Sequence, residues 1–174
     1  MAEFDTFLLD HAAAEKKASG MAMSMLSHYP DRPALVTAMS ELAVEEMVHF
    51  REVVKIIQQR GLQLGADLKD QYVADVRQLI RRGPEVYLLD RLLTGAAIEA
   101  RGAERFGLVG EALAAGELKR FYTSIARSEE RHFELFLDLA NTYFNARVVN
   151  TRWHEILEAE AAIMTSQPIR AALH

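Results

Sequence analysis

Only four prolines interrupt the 174 residues, at Pro30, Pro33, Pro84 and Pro168, and each stands where helical periodicity breaks. Between them apolar residues recur every three or four positions, so the chain can form little besides long helices. Nine glycines are too few for a turn-dense β architecture. The pattern predicts a first helix over 5–28 and a second from Asp31, read as its N-cap, to a stop at Gly61. A short helix over 70–82 follows, then long helices over 84–114 and 117–144, and an outlying amphipathic helix over 151–166. Paired through tight turns near residues 30 and 115, the four long helices make an all-α antiparallel four-helix bundle with additional short helices. One domain over 1–174 is expected at this length.

Composition narrows the chemistry. With no cysteine, the chain has no disulfides, Cys-ligated zinc, iron–sulfur clusters or thiol nucleophiles, so any metal must be held by His and carboxylates. A net charge of -5 argues against coating nucleic acid by bulk attraction, although local basic patches remain open. The acidic N-terminal stretch lacks the basic region of a signal peptide. The longest run without formal charge, Ala18 to Pro30, is 13 residues, short of the roughly 20 needed to span a bilayer. A soluble, cytoplasmic protein with no membrane partner is expected.

Two Glu-x-x-His pairs occur, Glu46–His49 and Glu129–His132, and on a helix this spacing puts both side chains on one face. Each pair interrupts an apolar stripe: Leu42, Val53 and Ile56 around the first, Ile125, Phe136 and Leu139 around the second. The first and third long helices carry similar stripes, Leu8, Ala12, Ala18, Ala22 and Met25 around Glu15, and Leu92, Ala96, Ala103 and Phe106 around Glu99. Residues in an antiparallel hairpin lie level when their midpoint falls at the turn. Glu15 with Glu46, and Glu99 with Glu129, both satisfy this. The chain therefore reads as one helical hairpin repeated, Glu-x30-Glu-x2-His and then Glu-x29-Glu-x2-His.

Four buried carboxylates need cations, and their stripes contain no Lys or Arg. Two divalent ions would balance four glutamates, and this is the donor set of ferritin-like dinuclear carboxylate proteins. Oxygen-rich ligation with two imidazoles favours iron, with manganese open. Phe106, Phe136, Ile125 and Leu92 would keep water from such a centre, while Gly95, Ala96, Gly102 and Ala103 leave room for a pocket. Tyr122 either lines the site or fills the core. His11, one turn before Glu15, is either a donor to that carboxylate or a plain helix residue. Glu45, Glu52, Glu104, Glu130 and Glu134 fall off the ligand phase.

The stretch from Asp10 to Gly61, with IEARGAERF around Glu99 and ARSEERHFELF around Glu129, resembles the bacterial tRNA 2-methylthio-isopentenyladenosine hydroxylase family over nearly the whole chain. The resemblance implies a ferritin-like non-haem diiron monooxygenase. Such an enzyme hydroxylates the isopentenyl group of the hypermodified adenosine next to the anticodon, using dioxygen and two electrons. It implies Glu15, Glu46, His49, Glu99, Glu129 and His132 as ligands to two iron ions, a tRNA substrate, an external reductase and a monomer or small oligomer. Ser128 stands where many diiron oxygenases have Asp. Phosphate contacts would fall among Arg51, Lys55 and Arg60, Arg81 and Arg82, or Lys119, Arg120, Arg127, Arg147 and Arg152. The competing reading from the same residues is a ferritin-like protein that oxidises iron for storage or detoxification.

Overall fold

Pro33 and Pro84 each sit in the first turn of a long helix, where a missing N–H costs nothing and the fixed φ suits the helix. In the computed structural model, which describes residues 2–173, the helices are α1 (Ala2–His28), α2 (Pro33–Gln59), α3 (Gln71–Arg77), α4 (Pro84–Ala112), α5 (Glu117–Tyr143) and α6 (Ala146–Ser166). No strand occurs among the described residues. The chain divides into two compact units. One comprises α1, α2 and the segment up to Leu68 with Ile169–Leu173; the other, Lys69–Pro168, carries α3, α4, α5 and α6.

In the first unit α1 and α2 form a hairpin of 27-residue helices, each about 40 Å long. Asp31 is not the N-cap of α2. Proline disfavours helical backbone in the residue before it, so Arg32 takes the cap position with φ -113° and no side-chain bond. The other end follows the expected stop: Gly61 adopts φ +73°, its N–H bonds the Gln58 carbonyl at 2.9 Å, and that of Leu62 bonds Ile57 at 3.0 Å. This is a Schellman ending, which needs a left-handed residue that glycine supplies without strain. Ser19 ties the two helices by donating to the Ala43 carbonyl at 2.8 Å. The segment after α2 is held to α1 by Lys16–Asp67 at 2.9 Å and by Lys17 donating to the Leu68 carbonyl at 2.8 Å.

In the second unit α4 and α5 form the matching hairpin, and α3 and α6 pack beside it. Two boundaries differ from expectation. Helix α3 starts at its Asp70 cap but stops at Arg77, because Gln78, Leu79 and Ile80 bond three residues back and the Arg81 N–H is taken by Asp90 Oδ2 at 2.8 Å. Helix α6 begins at Ala146 and not at Thr151, because Asn145 accepts from the Arg147 N–H at 2.9 Å. Buried ionic clusters dock the extra helices. Asp90 receives Arg81 and Arg152 at 2.8–3.0 Å, while Glu160 on α6 receives Tyr72 of α3 at 2.8 Å and Arg101 of α4 at 2.9–3.0 Å.

The apolar stripes read from the sequence are largely buried: Leu8, Ala12, Met25, Leu42, Val53, Leu92, Ala96, Phe106, Ile125, Phe136 and Leu139 are in the core. Ala18, Ile56 and Ala103 are only half-buried, and Ile57 takes the core position beside Ile56. No helix among the described residues is long and apolar enough to cross a membrane.

Candidate metal centre

The first unit gathers three potential ligands. Glu15 lies at mid-α1, and one turn of α2 carries Glu46 and His49; all three are buried. His49 Nδ1 is 3.6 Å from Glu15 Oε2 and 3.4 Å from Glu46 Oε2. Glu45, half-buried, approaches the other ring nitrogen at 3.9 Å. Burial alone would lower the basicity of His49, but the facing carboxylates of Glu15 and Glu46 outweigh it and raise its pKa to about 9. His11 is fully buried and its Nε2 stands 2.6 Å from Glu15 Oε1. A carboxylate can only accept, so Nε2–H donates and leaves the second oxygen directed at His49. Burial opposes ionisation of Glu15, yet the hydrogen bond from His11 and the nearby His49 ring prevail and hold its pKa far below the usual carboxylate range.

The second unit repeats the arrangement. Glu99 comes from α4, Glu129 and His132 from one turn of α5, and all are buried. His132 Nδ1 lies 3.8 Å from Glu99 Oε2 and 3.7 Å from Glu129 Oε2. The bracing differs. Four residues before Glu99, where the first unit has His11, stands Gly95, and a Cβ there would meet the Phe136 ring at 3.0–3.2 Å. Gly95 therefore admits close packing and leaves no room for a pocket. Gly102 lies beside Glu129, where an added Cβ would make ordinary contact with Oε2 at 3.7 Å.

In each triad the ligand atoms lie within 4.8 Å of one another, a spacing a divalent ion can gather. The donor set fits a metal: carboxylate oxygens and imidazole nitrogens are ligands of iron, manganese and zinc, and a bound cation offsets charges that burial would otherwise penalise. Tyr122 is a core residue, packed on Phe106 and Phe121 with ring centroids at 5.9 and 5.1 Å. Ser128 is buried and accepts from Arg131 Nη2 at 2.9 Å. A depression of about 440 Å³ does exist in the second unit, but it lies along Ala103, Gly107, Leu108 and Phe133, rimmed by Glu104, Glu111 and Glu130, and none of the six triad residues lines it.

Sequence reasoning left the role of His11 open and missed the Asp90 and Glu160 clusters. The cue for His11 was its i, i+4 relation to Glu15. Asp90 and Glu160 gave no local cue, because their partners lie up to 88 residues away. The same clusters take Arg81 and Arg152 out of the candidate phosphate contacts.

A family model described as tRNA-(MS[2]IO[6]A)-hydroxylase (MiaE) matches residues 1–174. A tRNA 2-(methylsulfanyl)-N(6)-isopentenyladenosine(37) hydroxylase from Pseudomonas putida is 38% identical over 143 residues, covering 82% of this chain and 69% of that protein. A protein of the same name from Salmonella typhimurium is 32% identical over 157 residues, covering 90% of this chain and 57% of its own length. Among solved structures, Protein 43 with aldehyde deformylating oxygenase activity from Synechococcus superposes with a TM-score of 0.91 at 33% identity, covering 98% of this chain and 86% of that one. The fold class expected from the sequence, all-α by its periodicity and ferritin-like by its donor set and family resemblance, is the one found.

Proposed function

Since the chain belongs to the tRNA-(MS[2]IO[6]A)-hydroxylase (MiaE) family, we propose that it hydroxylates the isopentenyl group of the hypermodified adenosine next to the anticodon of tRNA. The co-substrates are dioxygen and two electrons from an external reductase. Residues 1–174 act as one diiron domain in the cytoplasm, as a monomer or small oligomer. The observation that carries this reading is the duplicated triad of buried Glu, Glu and His within a chain matched end to end by the family. The relatives support an oxygenase and give no support to iron storage.

Glu15, Glu46 and His49 would hold one iron ion, and Glu99, Glu129 and His132 the other. When bound, two iron ions would supply the redox chemistry that activates dioxygen, so that one oxygen atom enters an allylic C–H bond of the isopentenyl group and the other leaves as water with the two external electrons and two protons. The protein's part is positioning. Four glutamates offset four positive charges, so the loaded core is neutral when both imidazoles are neutral. His11 holds Glu15 by one oxygen and keeps it ionised. Buried aromatic and aliphatic residues, Phe106, Phe136, Leu92 and Ile125, keep bulk water from the second triad.

The test is aerobic incubation of iron-loaded, reduced protein with tRNA bearing the isopentenylated adenosine, followed by mass analysis of the nucleosides. One added oxygen on the modified adenosine is expected. Its absence, with iron confirmed and reductant present, overturns the reading; conversion of a supplied aldehyde instead would move the assignment towards the activity of the Synechococcus protein.

A further inference from the structure

Most basic side chains of this chain are already engaged. Arg60 is bonded to Asp5, Arg51 and Lys55 to Glu52, Arg81 and Arg152 to Asp90, and Arg101 to Glu160. Lys119 donates to the Glu111 and Leu113 carbonyls at the end of α4. The outer face of α5 is different. Arg120, Ser124, Arg127 and Arg131 stand at i, i+4, i+7 and i+11, and all four are exposed. That spacing keeps the three arginines within about 20° of one line over about 16 Å of helix.

Among the described residues neither Arg120 nor Arg127 pairs with a carboxylate. Arg131 donates through Nη2 to Ser128 Oγ at 2.9 Å and through Nη1 to the Arg127 carbonyl at 3.1 Å. Beyond residue 131 the same line turns acidic, at Glu134 and Asp138, which confines an anion-binding stretch to the N-terminal half of α5. In a chain of net charge -5, three arginines kept on one exposed line are a local exception to the overall repulsion of a polyanion.

We propose that the Arg120–Arg127–Arg131 line of α5 is the surface on which the sugar–phosphate backbone of the tRNA anticodon arm rests. This rests on the tRNA reading above. Glu129 and His132 belong to the same stretch of α5, and Glu129 projects from the side opposite the arginines. A phosphate held on this line is therefore about one helix diameter, ~10 Å, from the carboxylate that faces the core. Arginine suits the task because its planar fork meets phosphate oxygens in pairs. The contacts are to backbone, so they orient the RNA without selecting bases.

The experiment measures binding of the substrate tRNA to the iron-loaded protein by fluorescence anisotropy across a series of salt concentrations, for the wild type and for Arg120→Gln/Arg127→Gln. Each lost phosphate contact lowers the log–log salt slope by about 0.7–0.9, so the double variant should lose about 1.5. It should also raise KM for tRNA while retaining two irons per chain. Arg77→Gln, exposed in the last turn of α3 and outside the candidate phosphate contacts, is the control and should leave the slope as in wild type. A wild-type protein that hydroxylates tRNA, with a double variant of unchanged slope and KM, overturns the line and leaves the function standing. An unchanged slope with turnover lowered only when the physiological reductase supplies electrons reassigns the line to that protein partner. A wild type that neither binds nor hydroxylates tRNA removes both.

Discussion

The α1–α2 hairpin and the α4–α5 hairpin present the same three ligand types with nearly the same geometry, yet they are braced by opposite means. In the first, a buried imidazole reaches one oxygen of Glu15 at 2.6 Å. In the second the equivalent position is Gly95, and the ring of Phe136 fills the space. The first triad is held by a directional polar bond, the second by close packing and by a unit with two further helices tied on through Asp90 and Glu160. Repetition of a ligand pattern thus does not imply repetition of its support, because ligation constrains only the inward atoms of each helix.

The most severe break in either half is loss of a ligand. Glu46→Ala or Glu129→Ala should each abolish hydroxylation and lower the iron content, read by elemental analysis; two irons retained in either variant would remove that residue from the centre. Next in size is Asp90→Ala, which has no counterpart in the first hairpin. It strands Arg81 and Arg152 and should cost about 3–5 kcal/mol in chemical denaturation of the metal-free protein. Ion pairing overcomes the cost of burying Asp90 and lowers its pKa. Its stabilisation should therefore be present above about pH 4 and be lost as pH falls through the depressed value, so wild type and Asp90→Asn converge in acid.

His11→Ala tests the polar brace. Affinity for the ion held by the first triad should fall about 10–100-fold in calorimetric titration, with the second triad spared and partial rescue by His11→Gln. Equal weakening of both ions would mean that His11 serves packing alone. The smallest effects separate the two glycine environments. Gly95→Ala drives a methyl into Phe136, and an overpacking cost of about 1–3 kcal/mol is set against a propensity gain of about 1 kcal/mol. Gly20→Ala on α1 meets nothing within 4 Å and should stabilise by up to about 1 kcal/mol, measured as a rise in Tm.

The amino-acid sequence was most legible where a property repeats at helical period. The stripes around Glu15, Glu46, Glu99 and Glu129, the proline-led starts of α2 and α4 and the glycine ending of α2 are all local, since neighbours within four residues decide them. It was least legible where a distant side chain competes for a local group, as when Asp90 draws off the Arg81 N–H and ends α3 early. The Asn145 cap was readable in principle, but the weaker apolar pattern before Thr151 obscured the start of α6.

Spacing alone determined that each hairpin brings a Glu level with a Glu-x-x-His pair on buried faces, because helical rise and pitch are constants of the backbone. Tertiary packing alone decided which polar groups are already engaged: that His11 serves Glu15, that Gly95 serves Phe136, and that Arg81 and Arg152 are bound while Arg120 and Arg127 face solvent. Those outcomes depend on contacts between residues far apart in the chain, and no periodicity carries them.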